Sequence, residues 1–275
     1  MTPFTGSSGF TEKWENFDFR MEDRVATVTF SRPKKLNALT FEIYADLRDL
    51  LGELPHRDDV RALIITGTGR GFCSGGDVNE IIGKLVEMDR AGRLDFTRMT
   101  GSVVQRMREL PIPIIAAVNG VAAGAGAVIA LAADFRVVSR SASFAFLFTQ
   151  VGLAGADMGS AYLLPRLIGY GRATELLMLG EKVEAERAVE IGLAGALVDD
   201  TELAAAAGEL ARHLADGPTL AYASTKMLLS RELDMDLAGA LELEATTQAL
   251  LMGTEDHAEF YRAFTEGRDP KWTGR

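Results

Sequence analysis

From Ile112 to Ala133 the chain carries no charged side chain, and this stretch constrains its fold more than any other. An apolar run of that length either spans a membrane or lies at the centre of a folded core. Here Pro113, Asn119, Gly120, Gly124 and Gly126 interrupt it, and Asp134-Phe135-Arg136 follows directly. This punctuation disfavours a spanning helix. It divides the run into a buried strand, Ile114 to Val118, a glycine-rich turn, and a buried helix from about Gly124 to Ala132. A strand without a polar face has both faces covered, as in the parallel sheet of an α/β protein.

The same strand, turn and helix recur upstream. Ala62 to Thr66 is a short apolar strand, Gly67-Thr68-Gly69-Arg70-Gly71 a loop, and Gly75-Gly76 leads into a helix from Val78. Before it, Phe17 to Met21 and Val25 to Phe30 read as strands joined at Glu22-Asp23. Thr40 is placed to cap a helix whose apolar face is Ile43, Tyr44, Leu47, Leu50 and Leu51. The segment Lys84 to Leu110 reads as polar helices, and Phe135 to Val138 and Ser143 to Phe146 as strands. After about Thr201 the pattern becomes helical: Glu202 to Leu214, Thr219 to Ser230 with Pro218 at the first helical position, Asp236 to Met252, and Glu255 to Phe264. Leu237, Leu241, Leu250 and Leu251 form faces that must cover the core or another subunit. The expected organisation is a flexible tail over 1–13, an α/β core over 14–200 and a helical region over 201–275.

Composition narrows the function. Among 275 residues, 47% are hydrophobic and 25% charged, as in a globular protein, and the formal net charge is −10. With no basic run beyond Lys34-Lys35, neither nucleic acid nor an anionic membrane is an expected partner. A few local cations suffice for a phosphorylated small molecule. Cys73 is the single cysteine, so no intrachain disulfide forms, which fits the cytoplasm. Met1 to Phe10 lacks the basic and apolar regions of a secretory signal. His56, His213 and His257 have no metal-ligand spacing, so no metal site is expected. Gly124-Ala125-Gly126 superficially matches a dinucleotide loop, but Ile129 occupies the third glycine position. Cys73, with no histidine near it in sequence, reads as a small turn filler.

Two loops carry the chemistry. Gly71-Phe72-Cys73-Ser74-Gly75-Gly76-Asp77 follows the first apolar strand, and Asn119-Gly120-Val121-Ala122-Ala123-Gly124-Ala125-Gly126 follows the second. Each sets small residues where backbone N–H groups are exposed at a helix start. Two such loops converging make a two-donor oxyanion hole.

These loops, together with Ser31-Arg32-Pro33-Lys34-Lys35-Leu36-Asn37-Ala38-Leu39, resemble the crotonase superfamily of enoyl-CoA hydratases and isomerases, from about Trp14 to Arg275. The resemblance implies a right-handed spiral of ββα turns followed by a helical region that builds trimers and often hexamers. It implies an acyl-CoA thioester as substrate, with coenzyme A entering as part of that substrate and no tightly bound cofactor. By motif position, the N–H groups of Gly76 and Ala125 would polarise the thioester carbonyl. Arg32, Lys34 and Lys35 would face the CoA phosphates, with Ser74, Gly75 and Asp77 lining the substrate loop.

The family's hydratases carry two glutamates, and here their positions hold Val128 and Phe148, which would wall the acyl site instead. Water activation needs acid and base groups that these side chains cannot supply. One carboxylate remains, Asp157, ahead of Leu164-Pro165-Arg166. Its placement is similar to that in the family's dienoyl-CoA isomerases, aryl-CoA dehalogenases and ring-epoxide isomerases, the last sharing the alanine-glycine pattern of the second loop and an aromatic residue at the Phe148 position. Phe144, Phe146, Met158 and Tyr162 would complete an apolar wall that raises its pKa. A purely structural alternative makes Asp157 the cap of a helix starting near Ser160. The expected enzyme is a double-bond or ring isomerase with Asp157 as its base. A hydratase with an unidentified base, a silent CoA-ester binding protein and a nicotinamide oxidoreductase are the alternatives.

Overall fold

The computed structural model describes residues 10–275. Strands β1 (Asp18–Glu22) and β2 (Val25–Phe30) form an antiparallel hairpin. Its turn centres on Asp23 and Arg24, at φ of 47° and 64°, one residue beyond the expected Glu22-Asp23. Two left-handed residues match the twist of paired strands. Helix α1 (Phe41–Glu53) is capped as expected: Thr40 Oγ1 accepts the Ile43 N–H at 3.4 Å. All five of its anticipated apolar residues are buried.

The chain then repeats one unit. β3 (Ala62–Gly67) enters one sheet and β4 (Gly71–Cys73) a second. A π-type helical segment, Val78–Gly83, runs into α2 (Lys84–Glu87), and α3 (Arg90–Glu109) follows. The next turn repeats this with β5 (Ile114–Val118), β6 (Val121–Ala123) and α4 (Ala125–Ala132). The third lays down β7 (Phe135–Ser139) and β8 (Ser143–Ala145), then α5 (Ser160–Ile168) and α6 (Tyr170–Leu179). Strands from successive turns pair in parallel, β3 with β5 and β5 with β7, β4 with β6 and β6 with β8. This is the expected spiral of ββα turns. It is completed by β9 (Val183–Glu184), α7 (Ala185–Glu190) and β10 (Ala196–Val198), the last pairing with β7. Helix α4 is buried at every residue, which explains its lack of charge. No helix of the described residues is long and apolar enough to cross a membrane.

The helical C-terminal region consists of α8 (Leu203–Asp216), α9 (Thr219–Arg231), α10 (Leu237–Leu251) and α11 (Glu255–Glu266). Pro218 sits at the N-cap of α9, one position before the expected place. The expected boundary near 201 does not divide the molecule. Leu203, Ala207, Ala211, Leu214 and Ala215 of α8 pack on the larger sheet against Val25, Ile64, Ile115, Ala117 and Val137, so α8 covers the sheet face opposite α1. By contrast, Leu237, Leu241 and Leu250 of α10 are 75%, 55% and 73% exposed. The expected tail over 1–13 falls largely outside the described residues. Residues 1–9 lie outside the described ones, while Thr11 donates from N and Oγ1 to the Glu53 carboxylate at 2.9 and 2.7 Å.

Candidate active site

The two glycine loops meet across successive turns of the spiral. A Cβ built on Gly126 would lie 2.0 Å from the Cys73 carbonyl oxygen, so only glycine allows the first loop to approach the start of α4. Gly75 adopts φ +95°, and a Cβ there would lie 3.0 Å from Ala123 O and 3.6 Å from Ala125 N. The Ala125 N–H therefore opens beside Gly75. As the first residue of α4, Ala125 has no intrahelical acceptor for it.

Gly76 is set by an unexpected strap, residues 32–39. Leu39 N–H donates to Gly75 O at 2.8 Å, and Leu39 O accepts from Asp77 N at 2.9 Å. This isolated parallel bridge between Leu39 and Gly76 holds the two neighbours of Gly76. Because backbone groups alternate in direction along extended chain, the Gly76 N–H faces away from Leu39. The two loops that carry these backbone donors thus touch on successive turns of the spiral, as the expected oxyanion hole requires.

The strap is itself anchored by buried Asn37, in a left-handed conformation at φ +59°. Its Nδ2 donates to Thr68 O at 2.9 Å and Gly71 O at 2.7 Å, and its Oδ1 accepts from Arg32 N. Ser74 Oγ donates back to Lys35 O. Asn119 ties the same loop from the other side, donating to Gly69 O and Gly71 O and accepting from Gly67 N. Asn37 and Asn119 lie inside the quoted motifs, yet their loop-holding roles were not legible. An asparagine beside a glycine turn is the signal that could have marked them.

Arg32 and Asp77 differ from expectation. Arg32 turns inward: Nη1 donates to Ala38 O at 2.5 Å, and Nη2 lies 3.2 Å from Asp77 Oδ2 and 2.8 Å from Glu80 Oε1. Asp77 is 3% exposed, and its Oδ1 accepts from Asn79 N and Glu80 N at the head of the following helix. Burial pushes its carboxyl up, but those two N–H groups and the charges of Lys35 and Arg32 outweigh it and hold the pKa below the usual range. Arg32 and Asp77 are thus bound to each other across the loop, with Arg32 a quarter exposed. Lys34 and Lys35 remain exposed at the mouth of the loop.

Asp157 lies on the loop before α5. Its Oδ1 accepts from Met158 N at 2.8 Å, and its backbone, not its carboxylate, engages Ser160 through both N and O. The side chain is therefore no cap for α5. Its pKa is raised, because desolvation outweighs the Met158 N–H. Phe144, Phe146, Phe148 and Met158 are buried in the adjoining core, whereas Tyr162 stands 37% exposed and donates to Asp234 instead. Val128 has no exposed surface and packs wholly within the core. A cavity of about 260 Å³ opens beside the Asp157 loop, between Val104, Met158, Gly159 and Leu163.

Tyr44 of α1 is buried, and that burial first, with smaller contributions from Cys73 and Asp157, pushes its hydroxyl well above the ordinary phenol value. Cys73 itself is fully buried, its thiol pushed up to about 12 by that burial, so it is an inert filler.

Comparison with known proteins fits this geometry. The family model described as enoyl-CoA hydratase/isomerase matches residues 20–275. A relative from Escherichia coli K12 named 1,2-epoxyphenylacetyl-CoA isomerase is 39% identical over 260 residues, covering 93% of this chain and 97% of that protein. A Rhodobacter capsulatus protein named as a probable enoyl-CoA hydratase is 36% identical, covering 94% and 97% respectively. A crystal structure from Streptomyces coelicolor A3(2), provisionally named an enoyl-CoA hydratase, superposes with a TM-score of 0.98 at 63% identity and full coverage of both chains.

Proposed function

The chain belongs to the enoyl-CoA hydratase/isomerase family and is an enzyme of acyl-CoA metabolism, and we propose that within the family it is a double-bond or ring isomerase using Asp157 as its only acid–base group. The observation that carries this reading is the desolvated carboxylate of Asp157, together with apolar Val128 and Phe148 at the two positions where the family's hydratases carry glutamate. The thioester oxygen would accept from Gly76 N–H and Ala125 N–H, which stabilises the enolate, at about 10²–10³ in rate for each donor. Asp157 would remove a proton from one carbon and return it to another. One carboxylate can run this shuttle, since no water is activated.

Lys34 and Lys35 supply the cations for the CoA phosphates, with Ser74 and Gly75 lining the approach and Phe148 walling the acyl end. Coenzyme A enters with the substrate and no further cofactor is required. The exposed leucines of α10, with Phe264 at 76% exposure, support self-association as a homotrimer or hexamer. The lone buried thiol fits the cytoplasm.

A panel of enoyl-, dienoyl- and arylacetyl-CoA esters, followed by mass and ultraviolet spectrum, tests the reading. Isomerisation leaves mass unchanged and alters the spectrum, whereas hydration adds one water. Crotonyl-CoA hydration should be slow or absent. A kcat above about 10 s⁻¹, the median for enzymes, would overturn the proposal.

A further inference from the structure

Arg32 is the strongest feature outside the reaction just described: a cation placed by its motif to meet ligand phosphates, yet turned inward. We propose that Arg32 is a positioning residue for the Gly76 oxyanion donor, clamping the strap and the head of the following helix on either side of that glycine. This rests on the reading of Gly76 as a donor to the thioester oxygen.

The geometry carries it. Gly76 is held between Gly75 O and Asp77 N, both bonded to Leu39. Arg32 grips both sides of that bridge, at Ala38 O on the strap and at the Asp77 and Glu80 carboxylates beyond the loop. One guanidinium thus ties together three acceptors, from Ala38 beside Leu39, from Asp77 beside Gly76, and from Glu80 in the first turn of the segment that follows. Its planar fork fixes their relative direction, which an ammonium group cannot do. The side chain is only 25% exposed, so it is poorly available to a diffusing phosphate. Without Arg32, Asp77 still accepts two backbone N–H groups and has Lys35 Nζ at 4.0 Å. The loop would keep its fold and lose its tension. A donor displaced by about 1 Å can lower the rate by about 10²-fold.

The test uses cinnamoyl-CoA, whose absorption band moves to longer wavelength when its carbonyl is polarised. Arg32→Met, Arg32→Lys and Glu80→Gln are compared with wild type for this shift, for kcat and KM on the turned-over ester, and for the Kd of free coenzyme A. Arg32→Met should lower kcat by about 10- to 100-fold, shrink the spectral shift, and leave the Kd of coenzyme A within about twofold of wild type. Arg32→Lys should fall between. Glu80→Gln, which keeps the arginine and weakens one anchor, should show a smaller loss in the same direction and supplies the reading should Arg32→Met fail to fold. An undiminished shift in the variants overturns the role of Arg32. A raised Kd for coenzyme A with unchanged kcat also overturns it and makes Arg32 a phosphate contact. Absence of any shift in wild type overturns the oxyanion reading itself, a separate outcome.

Discussion

At the residue scale, Asp157 is the sharpest point of test. Asp157→Asn is nearly isosteric and cannot accept a proton at neutral pH, so turnover should be abolished while Kd for the CoA ester stays nearly unchanged. Retention of more than about a tenth of wild-type kcat would show that Asp157 is not the base. The pH profile gives an independent check. The reactive form is the carboxylate, so kcat/KM should fall as pH drops through the raised pKa, with the acidic limb above the ordinary aspartate value of 3.8. A limb at or below 3.8 would contradict the desolvated site. Stability carries the opposite sign. A folded pKa raised above the unfolded one means that ionisation disfavours the native state, an effect present above the folded pKa and absent below the unfolded one. Asp157→Asn should therefore melt at the same temperature as wild type or higher at pH 7, and a clearly lower Tm would assign the carboxylate a structural task instead.

At the level of elements, α8 shows how packing decides what composition cannot. Its small residues Ala207, Ala211 and Ala215 allow a close approach to the sheet, and Leu214, 6% exposed, fills the end of the contact. Leu214→Ala should destabilise the protein by about 2–5 kcal/mol in urea unfolding, because a cavity adds to the lost burial, while kcat is unaffected. A loss under about 1 kcal/mol would mean that α8 docks loosely. Apolar spacing marks α1 and the strands β2, β3 and β5 in the sequence itself, and residue type marks the Thr40 cap. The three-residue strands β4 and β6 were hidden inside glycine loops, since their partners lie on other turns of the spiral and local pattern cannot report them. The bonds of Arg32 were hidden for the same reason: its partners Asp77 and Glu80 follow 45 and 48 residues later in the chain. The Asp157 position was legible through its motif, but not the exposure of Tyr162, which its bond to Asp234 decides.

For the whole molecule, the C-terminal helices combine a bonded inner side with an open outer one. Lys226 of α9 donates to Ile112 O at 3.0 Å and pairs with Asp134 at 2.7 Å, which fastens that helix to the core. Beyond it α10 presents leucines to solvent in an isolated chain. Deleting residues from Asp236 onward should give aggregated or unfolded protein, and full-length protein should sediment as an oligomer. A soluble, stable monomer from the truncated chain would refute self-association through this region. The proposed donors at Gly76 and Ala125 have a different kind of consequence. Both are main-chain groups on turns held by strand pairing, so no exchange of a side chain short of proline can delete them, provided the loops keep their glycines. Asp157 belongs to another loop, on the next turn of the spiral. In the proposed reaction, a substitution at Asp157 therefore changes the acid–base group and leaves the carbonyl site in place, so one scaffold can serve several reactions of a thioester enolate.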